Sequence, residues 1–426
     1  PKYSPQLKPL DRPGGDDWDA YTALYCDWPS PMQAMSPGTL CYLNITDGVP
    51  DYNNNGNYCN NYKGNPFGEM VYNNDTFLGK DAPGPPGLKY CGPGNYCEGY
   101  NQTRIWDGWF YDLGDLNHSI PFVRETQFEW LRQMRANYSL DGIRLDTAPF
   151  MPWTFLKDLQ AAAHPMQIIG EVTTSNISWH ASFQHDSELG SVVAGLENFP
   201  PFYMATPGFC NDTGNLNSPE AMGNLTFLGR TMQEQIKPRH AGGKYTDLGT
   251  LMNFMDQQDY PPIASQGTCK HNASLIKNGL AWVMFSYGMP VITWGTEQGN
   301  NVYRNTLWTL GFDTTTWQYN FIKTTNAIRK NHNIAKAGTE VVSASTNQLV
   351  FVRGGRKSGV WVFTNNLQTN GSVTYRVAPR KPFGWGCKVW YDALSGKKAR
   401  ITKRGWLIAP SSDPVVLVLK SQKGRK

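Results

Sequence analysis

Two helix–strand units follow one another between about residues 120 and 172. In the first, Phe128, Leu131 and Met134 recur at helical spacing, and a short apolar strand follows after a turn. The predicted segments are helix 123–135, strand 142–146, helix 153–163 and strand 167–172. Alternating units of about 30 residues predict a parallel sheet covered by helices. This alternation restricts the chain to an α/β fold.

Carboxylates stand at the ends of apolar strands. Arg144 and Asp146 are two residues apart on one strand, so they share a face, and the arginine favours the ionised carboxylate. Glu171 and Asp259 end two further apolar segments. Because catalytic groups of a TIM barrel gather at the carboxyl ends of its strands, the three carboxylates predict one converging site in a barrel.

Five strands can be assigned to this (β/α)8 barrel, and they correspond to its fourth to eighth strands. They lie at 142–146, 167–172, 192–197, 250–255 and 290–294. Residues 1–110 contain no pattern that fits the first three strands, so an apolar edge would be left uncovered. Three explanations are open: a second chain completes the barrel, the first 110 residues close the sheet unconventionally, or the fold is a remodelled derivative.

The regions on either side of the barrel strands have different patterns. Residues 1–110 are dense in turn formers and hold five of the eight cysteines, which predicts an irregular, disulfide-rich region resembling an insertion. Cysteine pairing cannot be read from the spacing. Residues 326–426 contain short apolar runs separated by turns, which predicts a C-terminal antiparallel β-sandwich domain. The partial barrel domain is therefore expected at 111–325.

Composition favours a protein that binds sugars over one that binds nucleic acid. Aromatic residues make up 13% of the chain and charged residues only 17%. Aromatic rings stack on the apolar faces of pyranoses, although core packing accounts equally well for any one tryptophan. The net charge of +5 is carried partly by the last seven residues and gives no case for nucleic-acid binding.

Several features predict a secreted, extracellular glycoprotein. No run of 18 apolar residues indicates a membrane span, and a start at Pro1 indicates a processed chain. Ten Asn-x-Ser/Thr sequons predict N-linked glycans, although an Asn-rich chain also produces sequons by chance. They lie at Asn44, Asn74, Asn101, Asn117, Asn137, Asn176, Asn211, Asn224, Asn272 and Asn370.

Five segments resemble, in order and rough spacing, motifs of the α-amylase family of glycoside hydrolases. They are 112–117, 142–146, 170–172, 254–259 and 288–298, and together they span about residues 111–300. The segment from Trp130 to Asp146 is similar to the fungal branch of the family. The resemblance implies a TIM-barrel enzyme that hydrolyses α-1,4-glucans by a retaining double displacement.

The resemblance also implies roles for the matching residues. Asp146 would be the nucleophile, Glu171 the general acid and base, and Asp259 the carboxylate that holds sugar hydroxyls in the transition state. The apolar residues before Glu171 favour a raised pKa, as a general acid requires. The substrate-binding residues would be Arg144, Gln258 and Trp294, although core packing is equally open for Trp294.

A structural calcium ion is a further implication of the family. Asp115 and the carbonyl oxygen of Phe150 would match two of its ligands, and calcium takes six to eight oxygen ligands. The family's early asparagine ligand is absent from this sequence. A plain hydrogen-bonding role for Asp115 is therefore open as well.

Departures from the family pattern support a second hypothesis. After Asp146, Thr147-Ala148 leads to Pro149 and Phe150 where the fungal branch continues with a Lys-His pair. Gln258 replaces a histidine, and the third-strand Asp-x-x-x-Asn-His motif is absent. Losing such contacts weakens transition-state binding. The chain would then be an impaired relative, a pseudoenzyme that serves as a structural or assembly component of an extracellular complex. A third hypothesis is a glucan-binding module without turnover, whereas the retained carboxylates favour the hydrolase.

Overall fold

The computed structural model describes residues 45–46, 49–50, 118, 121–212, 218–379 and 389–419. The described residues belong to two compact units. The first contains those up to Glu171 together with 188–193, and the second contains 172–187 and those from Ala194 onward. Apart from two short strands, the predicted disulfide-rich region 1–110 lies outside the described residues.

Helices and strands alternate up to Asn331, and strands predominate after it. The α-helices are α1 Pro121–Tyr138, α2 Trp153–Ala163, α3 Ile177–Ser182, α4 Phe199–Cys210, α5 Leu225–Gln235, α6 Ala273–Phe285 and α7 Trp317–Asn331. The strands are β1 Ile45–Thr46, β2 Val49–Pro50, β3 Gly142–Leu145, β4 Gln167–Gly170, β5 His185–Asp186, β6 Gly190–Ser191, β7 Gly195–Glu197, β8 Leu251–Asn253, β9 Met289–Pro290, β10 Thr339–Ala344, β11 Gln348–Arg353, β12 Val360–Asn365, β13 Val373–Tyr375, β14 Trp390–Asp392, β15 Leu407–Ala409 and β16 Val415–Leu419. Every described α-helix spans fewer residues or is more polar than a membrane crossing needs.

The first unit contains a helix–strand repeat with parallel strands. Strands β3 and β4 pair in parallel, with Ile143 opposite Ile168. Helices α1 and α2 pack together through stacked rings of Phe128 and Phe155, whose centroids are 5.8 Å apart. Leu131 is buried on the same stripe of α1. This agrees with the predicted helical spacing and the predicted parallel pairing.

The second unit continues with parallel strands covered by helices. Strand β8 pairs in parallel with β7 on one side and with β9 on the other. Every residue of α4 is buried, so this helix lies in the interior. A disulfide joins Cys210, at the end of α4, to Cys269, a pairing that the sequence left open. The chain is therefore an α/β protein with parallel strands, as predicted.

The last strands form antiparallel sheets. Five strands pair in the order β10, β11, β12, β16, β14, and β13 pairs with β15. Residues of both sheets share one core, in which Trp361 and Phe363 of β12 are buried with Tyr375 of β13 and Leu407 of β15. This arrangement of two sheets over one core agrees with the predicted C-terminal β-rich region.

Candidate active site

Two acidic residues follow directly after the paired strands β3 and β4. The register places Leu145 opposite Gly170, so Asp146 and Glu171 leave the sheet at the same level. The ladder extends one step further, because the backbone N–H of Glu171 donates to the carbonyl oxygen of Leu145 at 2.8 Å. Parallel pairing therefore brings the two carboxylates to neighbouring strand ends.

The guanidinium of Arg144 connects these two carboxylates. Its Nη1 lies 2.8 Å from Oδ1 of Asp146, and its Nη2 lies 2.7 Å from Oε1 of Glu171. The Asp146 side chain is 70% exposed, whereas that of Glu171 is only 8% exposed. One cation thus holds an open carboxylate beside a buried one, and such charge-assisted hydrogen bonds have strong geometric preferences.

The turn after β3 contributes a further hydrogen bond to Glu171. Thr147 has a left-handed backbone, with φ of 48°, and it precedes a short 3-10 helix at Ala148–Phe150. Its backbone N–H donates to Oε2 of Glu171 at 3.0 Å. Thr147 therefore binds Glu171 through its backbone, a contact that the side-chain pattern of the sequence does not predict.

The environment favours the ionised form of Asp146. The hydrogen bond with Glu171 lowers the pKa of Asp146, and this effect and the charge of Arg144 outweigh partial burial, which acts in the opposite direction. The surroundings of Asp146 therefore favour the ionised carboxylate that a nucleophile needs.

Asp259 belongs to the second unit, where it forms a separate cluster. Nη2 of Arg304 lies 2.5 Å from Oδ1 of Asp259, and Nε2 of Gln258 donates to Oδ2 at 3.1 Å. Arg304 also donates through Nε to the carbonyl oxygen of Gln258 at 2.9 Å. Both carboxylate oxygens of Asp259 are thus engaged by protein groups. Sequence reasoning missed Arg304, because no strand or spacing connects it to Asp259.

The other predicted site residues have simpler positions. Trp294 is partly exposed, and its indole Nε1 donates to the carbonyl oxygen of Asn305 at 2.7 Å. Asp115, the predicted calcium ligand, lies outside the described residues. Within the described ranges, no group of three His, Cys, Asp or Glu side chains could hold a metal ion. Calcium binding therefore stays a prediction.

A cavity of about 550 Å³ lies at the opposite end of β3 and β4 from the carboxylates. Its lining includes Arg132, Arg135 and Asp141 from the segment before β3, and Pro165 and Met166 from the segment before β4. Asp146 and Glu171 are not among its lining residues. The size of this cavity therefore says nothing about the chemistry at the carboxyl ends of the strands.

The chain is similar in sequence to curated α-amylases of fungi. No family model matches it. It is 31% identical over 243 residues to α-amylase 1 of Lipomyces kononenkoae, which covers 55% of this chain and 35% of that protein. It is 27% identical over 329 residues to α-amylase 2 of Schwanniomyces occidentalis, which covers 73% of this chain and 56% of that protein.

A solved structure supports the same assignment at the level of the fold. An α-amylase from Malbranchea cinnamomea superposes with a TM-score of 0.62 at 23% identity, covering 75% of this chain and 65% of that one. The chain spans only about a third to a half of the length of the two fungal relatives. The sequence matches and the shared fold agree with the predicted resemblance to the α-amylase family, with considerable divergence from it.

Proposed function

We propose that the protein is a glycoside hydrolase that cleaves α-1,4-glucosidic bonds with retention of anomeric configuration. The observation that carries the proposal is the contact of one guanidinium, that of Arg144, with both Asp146 and Glu171. Retaining glycosidases need two carboxyl groups only about 5–5.5 Å apart, whereas inverting enzymes separate them by about 6.5–9.5 Å. Two carboxylates on one guanidinium fit the shorter spacing.

The proposed reaction uses one ionised carboxyl group as the nucleophile and one protonated carboxyl group as the acid. Glu171 gives its proton to the glycosidic oxygen while Asp146 forms a bond to the anomeric carbon, and the leaving chain departs. Glu171 then removes a proton from water, which attacks the anomeric carbon and releases Asp146. Arg144 positions both groups and favours the charge on Asp146.

Asp259 would hold sugar hydroxyls in this reaction, with Arg304 and Gln258 setting the orientation of its carboxylate. Hydrogen bonds to hydroxyls that strengthen in the transition state raise the rate of hydrolysis. Substrate would have to share or replace the contacts that Asp259 makes with Arg304 and Gln258.

The proposal is tested by measuring release of reducing sugar from soluble starch. We expect Asp146→Asn to lower kcat/KM by at least about 10³-fold, because the nucleophile is lost. Asp141→Asn is the matched control, since Asp141 precedes β3 at its other end. Early formation of the α-anomer, followed by proton NMR, would establish retention. Equal activity in the parent and the Asp146→Asn variant would refute the assignment.

The acid role of Glu171 has its own test. A leaving group that is already a weak base needs no proton, so Glu171→Gln should impair hydrolysis of starch far more than hydrolysis of a nitrophenyl maltoside. Equal losses on both substrates would show that Glu171 is not the general acid.

One observation favours a second candidate, an impaired relative that serves as a component of an extracellular assembly. Both oxygens of Asp259 are engaged by Arg304 and Gln258, so this carboxylate is not preset for a sugar. The candidate predicts a folded protein without turnover in the starch assay. It further predicts that Arg304→Ala would not restore hydrolysis.

We also propose that the protein is secreted and carries N-linked glycans. The buried disulfide between Cys210 and Cys269 supports an oxidising compartment. Asn137, Asn176 and Asn370 are exposed, as glycan acceptors must be. A calcium ion at Asp115 and a second chain that completes the barrel remain predictions. Mass spectrometry of the purified protein tests for the glycans, the calcium ion and the second chain.

A further inference from the structure

Positive charge is concentrated at the C-terminal end of the chain. Residues 366–426 contain 13 lysines and arginines against two aspartates, so this segment carries a net charge of +11. The whole chain carries only +5. An excess of one sign of charge attracts partners of the opposite sign and raises their local concentration. The asymmetry therefore points to a negatively charged partner for the C-terminal segment.

Part of this charge lies on the outer face of the small sheet formed by β13 and β15. The register pairs Tyr375 with Leu407, and both side chains belong to the buried core. Alternate residues of a strand point to opposite faces. The adjacent residues Arg376 and Trp406 therefore point away from the core, where Arg376 is exposed and Trp406 is half-buried.

A neighbouring segment brings more cations to the same face. The backbone N–H of Ile408 donates to the carbonyl oxygen of Arg400 at 2.9 Å, so this segment lies beside β15. Ala399 and Ile401 pack against the core, whereas Lys398 and Arg400 are exposed. The alternation of apolar and basic residues thus directs both cations to the outside of the sheet.

The turn that leads into β15 holds two further cations on a well-bonded backbone. The N–H of Thr402 donates to the carbonyl oxygen of Trp406 at 2.9 Å, and Oγ1 of Thr402 accepts from the N–H of Trp406 at 3.1 Å. Gly405 has a left-handed backbone, with φ of 75°, which glycine adopts without strain. Lys403 and Arg404 are exposed at this turn.

We name these exposed cations the basic face. They are Arg376, Lys398, Arg400, Lys403 and Arg404. Within the part of the chain that the structure describes, none of the five forms an ion pair. Asp413 pairs with Lys277, and Asp392 accepts hydrogen bonds from backbone N–H groups and from Ser395. The two aspartates of the segment therefore leave the basic face uncompensated.

The indole of Trp406 orients two of these cations. The guanidinium of Arg404 lies 5.5 Å from the centroid of the Trp406 ring, and that of Arg376 lies 5.8 Å from it. A cation–π contact holds a guanidinium through the ring face and does not consume its N–H donors. Two guanidiniums beside one ring also repel each other, and an anion bound by both would offset that repulsion. The pair is thus arranged for an oxyanion.

We propose that the basic face binds an acidic polysaccharide, a chain of sugars that carry carboxylate groups. The planar N–H forks of Arg376 and Arg404 match a carboxylate in bidentate fashion. The other three cations extend the site to further acid groups of the same chain. The proposal does not depend on the hydrolase activity. The choice of a polysaccharide over a nucleic acid, which is also a polyanion, rests on the proposed secretion.

The test measures binding of polygalacturonate to the full chain by titration calorimetry, at about 0.05 M and about 0.15 M salt. Arg376→Gln with Arg404→Gln removes both guanidiniums, and Arg376→Lys with Arg404→Lys keeps the charge but removes the forks. Lys323→Gln with Lys336→Gln is the matched control, because it removes the same charge from exposed positions of the same unit. Thermal unfolding of each variant confirms that it is folded.

We expect the double glutamine variant to weaken polygalacturonate binding by about 10-fold, since each exposed charge contact is worth up to about fivefold in affinity. The control should lose less than about twofold, and the double lysine variant should lie between the two. Equal losses in the control and the glutamine variant would overturn the inference, since the affinity would then follow overall charge. Full affinity in the double lysine variant would overturn the role of the guanidinium forks.

The nature of the polyanion is tested with polyuridylate under the same conditions. Tighter binding of polyuridylate than of polygalacturonate, lost in the double glutamine variant, would overturn the polysaccharide assignment in favour of a nucleic acid.

Failure of this inference can be distinguished from failure of the proposed function. A parent protein that hydrolyses starch but has no affinity for polygalacturonate refutes the basic face alone. A parent that releases no sugar from starch, yet loses polygalacturonate affinity in the double glutamine variant, supports the basic face and refutes the hydrolase.

Discussion

At the scale of single residues, burial keeps His180 uncharged. Its Nε2 lies 2.9 Å from the carbonyl oxygen of Glu197, so that nitrogen must carry the proton. Its Nδ1 then accepts from the hydroxyl of Tyr245 at 2.8 Å, and that hydroxyl accepts from Gln235 at 2.9 Å. A second proton on His180 would have to bind to Nδ1, which already accepts the hydrogen of the Tyr245 hydroxyl. Burial lowers the pKa of His180 to about 4, from 6.5 when exposed.

The neutral histidine predicts acid-sensitive stability. Because the folded pKa lies below the unfolded one, the stabilisation is complete above pH 6.5 and is lost as the pH falls through 6.5 towards 4. The full loss is about 3 kcal/mol for His180. We expect His180→Gln to flatten the dependence of the urea midpoint on pH between 7 and 4.5, although burial and the charge of Arg124 lower the pKa of His118 in the same way. His240→Gln, at an exposed position, is the control, and equal slopes in both variants would contradict the expectation.

At the scale of secondary-structure elements, α5 packs unusually close to β10. A Cβ atom added to Gly229 of α5 would lie 2.2 Å from Cβ of Ala344 in β10, and 3.5 Å from Cδ1 of Leu349 in β11. Glycine normally weakens a helix by about 1 kcal/mol relative to alanine. Here the absence of a side chain allows the helix to lie against the sheet.

This contact predicts that Gly229→Ala destabilises the protein despite its better helix propensity. Overpacking costs about 1–3 kcal/mol, and a contact of 2.2 Å favours the upper part of this range, above the gain of about 1 kcal/mol in propensity. Adding Ala344→Gly should recover part of the loss, because it removes the clashing methyl group. Denaturant unfolding of the single and double variants measures the coupling. A single variant that is more stable than the parent would show that the sheet moves away at little cost.

Sequence patterns predicted the helices and strands better than they predicted the contacts between them. The stripe at Phe128 and Leu131 predicted α1, and both residues are buried in it. The carboxylates of Asp146 and Glu171 were predicted to follow strands, and local strand ends do determine their positions. The pairing of Cys210 with Cys269 and the contact of Arg304 with Asp259 join residues 59 and 45 positions apart. Such contacts depend on how several helices and strands pack together. The local periodicity of the sequence carries no information about that packing.

On the largest scale, a buried arginine joins the helical part of the second unit to its β-rich part. Arg353 of β11 is 2% exposed, and its guanidinium donates to the carbonyl oxygens of Phe285 and Ser286 at the end of α6. It also donates to those of Ile334 and Ala337. Burial, followed by the charge of Arg329, lowers the pKa of Arg353 to about 10, so the group stays charged at neutral pH.

Loss of Arg353 should therefore destabilise the second unit strongly. We expect Arg353→Leu to cost about 3–5 kcal/mol, because it removes the charged donor shared by three buried carbonyl oxygens and one partly buried one. Arg356→Leu is the matched control: Arg356 is exposed and pairs with Glu340, so its loss should cost at most about 1 kcal/mol. Thermal unfolding of both variants gives the comparison, and similar losses would contradict a special role for Arg353.

The position of Arg353 limits how this chain can be recombined with similar proteins. A chimera that takes its β-rich part from a relative would carry a foreign residue at position 353 against the native carbonyl oxygens of Phe285 and Ser286. Such an exchange succeeds only if the incoming segment brings an arginine with the same reach. The two parts of the second unit therefore depend on one shared side chain, even though the predicted domain boundary at 325 lies between them.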